Sequence, residues 1–190
     1  MSDVLSKKLK NRRAKPFILN TSVKDLRTEL GNILPTDEVV KLISLRGGIA
    51  SLTFIKLVAD SEIIEEMTAS TLRIGEKQFN YLQSIAKSKR LKKARFFTSK
   101  MQSRVDSKND KYNYCGRFKK ACEANNWKHV IIENHSKIIL MRTKSNFYVL
   151  ETSSNLNENP KIEQYSFENN KELYDFYYGF FDELEKRSAP

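Results

Sequence analysis

His135 and Lys137 are separated by one residue and stand directly before the apolar run Ile138–Met141. If this segment is a strand, the two side chains point to the same side of it, because side chains alternate along a strand. A sheet interior does not readily hold an unpaired lysine, so this side must face solvent, a cleft or an anion. The pair predicts either an ordinary polar start to a strand or an imidazole and an ammonium presented together.

A second polar segment follows the next predicted strand. It reads Ser153-Ser154-Asn155-Leu156-Asn157-Glu158-Asn159-Pro160-Lys161-Ile162-Glu163, and it comes after Asn134-His135-Ser136-Lys137. This order resembles the phospholipase D superfamily. More narrowly, it is similar to the small single-motif phospholipase D-like proteins of bacteria and their mobile elements. In those proteins an Asn-His-x-Lys strand precedes a Ser-x-Asn-Leu-x-x-Asn-Pro-x-x-Glu segment.

The resemblance implies a phosphodiester chemistry that needs neither a metal nor another cofactor. By position, His135 would be the nucleophile that forms a phosphohistidine, or the general acid that protonates the leaving oxygen. Lys137 and Asn155 would hold the non-bridging phosphate oxygens. Ser153 would support the pocket, and Glu163 would orient an imidazole.

Two positions depart from the family pattern. The family's Asp, five residues after the Lys, is replaced by Arg142, and Thr152 stands where the family usually has Gly before the Ser. Either change is compatible with a site that binds phosphate without catalysis, or with a subfamily in which the Asp is dispensable.

The chain has one such set of residues. His129 is its other histidine, and no Lys follows it two residues later. A mechanism that uses two histidines therefore requires two chains, and a two-fold axis that brings two copies of His135 together satisfies it. We expect a homodimer with one shared site.

The positive charge is concentrated in two segments, and residues 151–190, with four basic and nine acidic residues, reduce the net charge of the chain to +11. Residues 1–15 carry six basic and one acidic residue, and residues 87–120 carry thirteen basic and two acidic residues. A basic block favours a polyanionic partner, because each neutralised phosphate releases counterions, although a solvated surface with a basic tail also explains the charge. The residues predicted to contact nucleic acid are Lys87, Lys89, Arg90, Lys92, Lys93, Lys100, Arg104, Lys119 and Lys120.

Other classes of protein fit the composition less well. No stretch of about 18 uninterrupted apolar residues exists, so no membrane span is expected, and the N-terminus lacks the apolar core of a secretory signal. We therefore expect a cytoplasmic protein that does not bind membranes. Cys115 and Cys122 lie in one predicted helix, too far apart for a disulfide and without the paired spacing of a zinc site, which favours structural thiols.

The hydrophobic pattern predicts alternating helices and strands. We expect a basic arm over residues 1–15 and a single α/β domain over 16–190, with a phospholipase D-like, mixed but largely parallel sheet flanked by helices. A leading helix is predicted near residues 22–34, and an edge strand at 162–167. The last helix is predicted to turn a stripe of six apolar residues to the core: Leu173, Phe176, Tyr177, Phe180, Phe181 and Leu184.

The sequence thus favours a phospholipase D-like nuclease or phosphodiesterase acting on nucleic acid, with DNA preferred over RNA. The alternatives are a non-catalytic nucleic-acid-binding protein that keeps the fold and its phosphate pocket, and a scaffolding role in a phage or mobile-element assembly.

Overall fold

The computed structural model describes residues 18–20, 34–44, 50–100, 114–157 and 161–188, with the backbone alone at 18–20, 114 and 115. The strands are β1 (Ile18–Asn20), β2 (Val39–Ser44), β3 (Ile64–Thr71), β4 (Leu91–Ser99), β5 (Lys128–Ile132), β6 (Ile138–Arg142), β7 (Phe147–Thr152) and β8 (Glu163–Asn169). The helices are α1 (Ser51–Ser61), α2 (Glu76–Lys87), α3 (Tyr114–Ala124) and α4 (Lys171–Ser188). The predicted basic arm and leading helix lie outside the described residues.

The described strands form one sheet in the order β1-β2-β8-β7-β6-β3-β4-β5. The pairs β1–β2, β3–β4 and β4–β5 are parallel, and the other four pairs are antiparallel. The prediction of a mixed α/β sheet is confirmed, but the prediction that it is largely parallel is wrong. Among the described residues, helical crossovers connect the parallel strands β3 to β4 and β4 to β5, whereas short connections make β6, β7 and β8 an antiparallel meander.

Helices cover both faces of this sheet, which builds two separate cores. On one face, Phe54 of α1 packs against Tyr165 and Phe167 of β8, and Phe118 of α3 packs against Phe96 of β4. On the other face, α4 brings Phe181 against Phe97, the neighbour of Phe96 along the strand. Adjacent residues of β4 serve different cores because side chains alternate across a strand.

Two predictions about the C-terminal third are wrong. The segment predicted as an edge strand is β8, which lies between β2 and β7. In α4, Phe181 is 1% exposed, but Phe176 and Phe180 of the predicted core stripe are 54% and 56% exposed. The helix lies across one sheet face and buries a narrower stripe than its apolar pattern indicates. At the start of the helix, Asn170 Oδ1 accepts a hydrogen bond from the Leu173 amide at 3.2 Å, as an N-cap does.

Candidate active site

The predicted site residues collect at one edge of the sheet. Strands β3 and β4 end there, and β6 begins there, since Ser70 of β3 pairs with Ile138. Strand β7 ends beside the start of β8, where Thr152 pairs with Tyr165, and β2 ends at the same edge. The backbone thus brings the segment 134–137 together with the segment 152–163.

His135 and Lys137 lie in a loop rather than in the predicted strand, because β6 begins only at Ile138. The loop is held by Asn134, whose Nδ2 donates to Ser70 Oγ and to the Phe97 carbonyl oxygen, both at 2.9 Å. Asn134 Oδ1 in turn accepts from the backbone amide of Ser136 at 2.9 Å. One amide side chain therefore fastens the histidine loop to the ends of β3 and β4.

The side chains of His135 and Lys137 meet even though the strand alternation that we expected does not apply. Lys137 Nζ lies 3.1 Å from His135 Nδ1 and also donates to the His135 carbonyl oxygen. An ammonium group only donates, so Nδ1 is the acceptor and the neutral ring carries its proton on Nε2. Burial lowers the pKa of the Lys137 ammonium, and the nearby Glu163 carboxylate opposes that shift.

Ser153 and Glu163 form the second half of the site. Ser153 Oγ donates to Glu163 Oε2 and accepts from the Gln164 backbone amide at 3.0 Å. The Glu163 carboxylate is 5% exposed and acts electrostatically on Lys137. Glu163 therefore braces the serine and favours the charged lysine, while its predicted orientation of an imidazole stays a prediction.

Asn155 carries a polar atom that the described residues leave unsatisfied. Its Oδ1 is buried without a hydrogen-bond partner. The two ends of an amide exchange places when it turns by 180°, so either orientation leaves one polar atom available to a ligand, and Nδ2 is the end that a phosphate oxygen requires. The loop is fixed on its far side, where the Leu156 amide donates to Thr71 Oγ1 at 2.9 Å. Asn159 lies outside the described residues.

Arg142, which replaces the family's Asp, lies away from this edge. It ends β6, about 17 Å along the strand from Lys137. Its Nη2 lies 3.2 Å from Glu66 Oε2 on the neighbouring strand β3. The replacement therefore changes an ion pair at the opposite end of the sheet and leaves the His135 loop untouched.

His129 and Cys122 have local structural roles. His129 Nε2 lies 2.8 Å from Thr98 Oγ1, and the ring packs edge-on against Phe118. Burial, assisted by the charge of Lys119, lowers the pKa of His129 to about 4. Burial also raises the pKa of the Cys122 thiol to about 12. Across the described part of the chain, no group of three or more His, Cys, Asp or Glu side chains is arranged to hold a metal ion.

The predicted nucleic-acid-binding residues do not form one surface. The turn from α2 into β4 and the first residues of β4 carry Lys87, Lys89, Arg90, Lys92 and Lys93. Lys93, the last residue of this group, is still about 23 Å from Lys100, which follows β4 at the site edge. Arg90 donates to two carbonyl oxygens at the end of α1, and Lys92 forms an ion pair with Glu65. Lys119 and Lys120 are exposed on α3, and Arg104 lies outside the described residues.

Two contributors to the site edge did not come from the sequence reasoning. Ser70 lies near the end of β3, and its Oγ contacts both Asn134 and Ser136. Lys41 belongs to β2 and lines the same cavity as Lys137. The available signal was the alternation of β2, which places Lys41 opposite its buried neighbours Val40 and Leu42.

No family model and no curated protein sequence matches this chain. Several solved structures, in contrast, are similar to this chain. Polyphosphate kinase from Porphyromonas gingivalis matches with a TM-score of 0.56 and 18% identity, over 73% of this chain and 24% of that one. Phosphatidylserine synthase from Haemophilus influenzae Rd KW20 matches with a TM-score of 0.52 and 12% identity, over 78% of this chain and 38% of that one.

Both of these proteins belong to the phospholipase D superfamily. The chain has a phospholipase D-like fold. It spans about a quarter of the first relative's length and less than two fifths of the second's. The archaeal chromatin protein TrmBL2 matches with a TM-score of 0.48 and 10% identity, over 87% of this chain and 60% of that one.

Within the described residues, no helix of this phospholipase D-like fold is both long and apolar enough to cross a membrane.

Proposed function

We propose that the protein is a metal-independent phosphodiesterase that cleaves nucleic acid, preferentially DNA, at a site shared by two copies of the chain. The observation that carries this proposal is the contact between His135 and Lys137 beside the Ser153–Glu163 pair, at the edge of a phospholipase D-like sheet. An imidazole next to an ammonium combines a nucleophile or acid with a cation that binds phosphate. The exposed position of His135 makes it accessible to a second chain.

In this mechanism Lys137 moves from His135 Nδ1 onto a non-bridging phosphate oxygen. This releases the ring to carry its proton on Nδ1, so that Nε2 attacks phosphorus and the bond from phosphorus to the leaving oxygen breaks. His135 of the partner subunit donates a proton to that oxygen, then takes one from the water that hydrolyses the phosphohistidine. Asn155 would donate to the second non-bridging oxygen.

The position of His129 supports the proposal that two chains form the site. Its ring packs against Phe118 and is hydrogen-bonded to Thr98. His129 lies near the start of β5, away from the site edge. It is therefore unsuited to serve as the second histidine. A homodimer and a cytoplasmic location are parts of this proposal.

The test compares wild type with His135→Ala on labelled single- and double-stranded DNA and RNA, with excess chelator and several salt concentrations. We expect cleavage by wild type alone, an acid-labile phosphoprotein adduct, and a dimer by sedimentation at micromolar concentration. Binding by both proteins without cleavage would instead support the non-catalytic alternative. A strict monomer with full activity would overturn the shared site.

A further inference from the structure

A cavity beside Lys137 extends across the sheet, away from the histidine loop. Its volume is about 510 Å³, which is within the range of ligand pockets. It lies on the sheet face that carries α4, because Tyr177 of that helix donates to Glu151 on the cavity floor. The mechanism above uses only the Lys137 end of this cavity.

The strand register places four residues of the cavity floor in a row across the sheet. Lys41 of β2 pairs with Ser166 of β8, Ser166 pairs with Glu151 of β7, and Glu151 pairs with Ile138 of β6. Residues directly opposite each other share a face, so all four side chains point into the cavity. The row crosses three strand spacings, about 14 Å. Lys41 therefore lies at one end of this row and Ile138 at the other, with the Glu151 carboxylate between them; Lys137, which precedes Ile138, also lines the cavity.

Four features of the cavity floor favour a nucleotide. Lys41 donates to Ser166 Oγ at 2.9 Å, an exposed contact that a phosphate can replace. Glu151 Oε1 accepts from Tyr177, and among the described residues its Oε2 has no hydrogen-bond partner. Gln164 lines the same floor, and within that part of the chain its side-chain amide has no partner either. Ile43, 42% exposed, adds an apolar surface beside them.

We propose that this cavity binds the nucleotide next to the scissile phosphate in a single-stranded nucleic acid. Lys41 contacts the neighbouring phosphate, and Glu151 accepts a hydrogen bond from the exocyclic amino group of the base, as carboxylates do from cytosine N4. A cavity of about 510 Å³ has room for one nucleotide rather than for a base pair, so the strand must be single. Thymine and uracil lack the amino group, so the subsite disfavours them.

This inference deepens the proposed function and rests on it. Binding is measured by fluorescence anisotropy, with labelled oligo-dC and oligo-dT of equal length. Every protein carries His135→Ala, so that no substrate is consumed, and circular dichroism checks each fold. We expect the His135→Ala parent to bind oligo-dC about fivefold more tightly than oligo-dT. Adding Glu151→Gln should abolish this preference, because an amide serves the thymine carbonyl as well as the cytosine amino group.

Lys41→Ala should weaken binding of both oligonucleotides by about fivefold. It should also make the slope of log binding constant against log salt concentration shallower by about 0.7. Lys144→Ala, in the exposed turn between β6 and β7 at the opposite edge of the sheet, is the matched control and should leave binding unchanged. If the parent binds no nucleic acid, the proposed function itself fails. If it binds but Glu151→Gln and Lys41→Ala change nothing, only this subsite is wrong. A change of sedimentation with Lys41→Ala would show that the face contacts a second chain and would also overturn the subsite.

Discussion

Arg142 Nη2 lies 3.2 Å from Glu66 Oε2, across the β6–β3 pairing and at the end of β6 remote from Lys137. In the family pattern an Asp stands at this position, so its replacement by Arg suggested a lost activity. The structure relates the change instead to a neighbouring carboxylate of opposite charge. Glu66 also accepts a hydrogen bond from Tyr178 of α4, so the ion pair belongs to the contact between helix and sheet.

Arg142→Gln should therefore leave cleavage within about twofold of wild type. The Arg142 side chain is 39% exposed, so losing the ion pair should cost only about 0.5–1 kcal/mol of folding free energy. Urea denaturation and initial cleavage rates measure the two effects. Glu66→Gln is the matched variant, and the double mutant should lose less than the sum of the single mutants. A large loss of rate with the fold intact would place this position in the chemistry.

Lys137→Met should change the protonation pattern of His135. In wild type the ammonium donates to Nδ1, which fixes the neutral tautomer with the proton on Nε2. Without that donor, the two tautomers should become mixed, which long-range proton–nitrogen spectra of the ring detect. Lys41→Met is the control, because it removes a lysine of the same cavity that donates to Ser166. An unchanged ring spectrum in Lys137→Met would contradict the assigned contact.

Asn134→Ala should slow cleavage by about ten- to hundredfold with little change in KM. It removes the donor to Ser70 and Phe97 and the acceptor for the Ser136 amide, so the His135 loop loses its anchor. Asn134→Asp keeps the acceptor alone and should recover only part of the rate. A loss confined to thermal stability, with kcat and the pH profile preserved, would assign Asn134 a structural role only.

His129→Gln should flatten the acid side of the stability profile. The folded pKa of His129 is about 4, below its ordinary value of 6.5, because the ring is buried. The unfolded chain binds the proton first as pH falls, so wild-type stability decreases between about pH 6.5 and pH 4. The wild-type protein loses about 2–3 kcal/mol of folding free energy over this range, and the glutamine variant does not, because glutamine binds no proton. Urea midpoints at pH 7 and pH 4.5 test this, and equal pH dependence in both proteins would refute it.

Phe181→Ala should destabilise the protein by about 3–5 kcal/mol, because the ring is 1% exposed and packs on Phe97. Phe176→Ala, on the same helix and 54% exposed, should cost under about 1 kcal/mol. Thermal unfolding of the two variants side by side measures the difference. Equal losses would mean that Phe176 is covered, as the sequence pattern originally indicated.

Some elements can be recognised from the sequence because each has a clear apolar spacing of its own. The helix at residues 76–87 and the strand at 147–152 are examples. Pairing was harder to predict. Whether β8 is an edge or an interior strand depends on β2, which is 125 residues away at the paired positions Lys41 and Ser166, and no local pattern carries that information.

The candidate site shows the same division. Motif order brought His135, Lys137, Ser153 and Glu163 to attention, but the reason given for the first pair, alternation along a strand, was wrong. The two side chains meet because a loop anchored by Asn134 turns them together. The basic residues predicted to bind nucleic acid are close in sequence but not in space. Lys93 lies near the start of β4, and Lys100 follows the end of that strand.

The long separation of β2 and β8 also bears on how the chain folds. The units β3–α2–β4 and β4–α3–β5 join strands that are close in sequence. Strand β2 pairs with a strand more than a hundred residues later in the sequence, so this pairing costs more chain entropy. Ser44 pairs with Glu163, so the closure that completes the sheet also delivers the carboxylate beside Ser153. We therefore expect the proposed phosphate pocket to be assembled in the last folding step, after β8 has been synthesised.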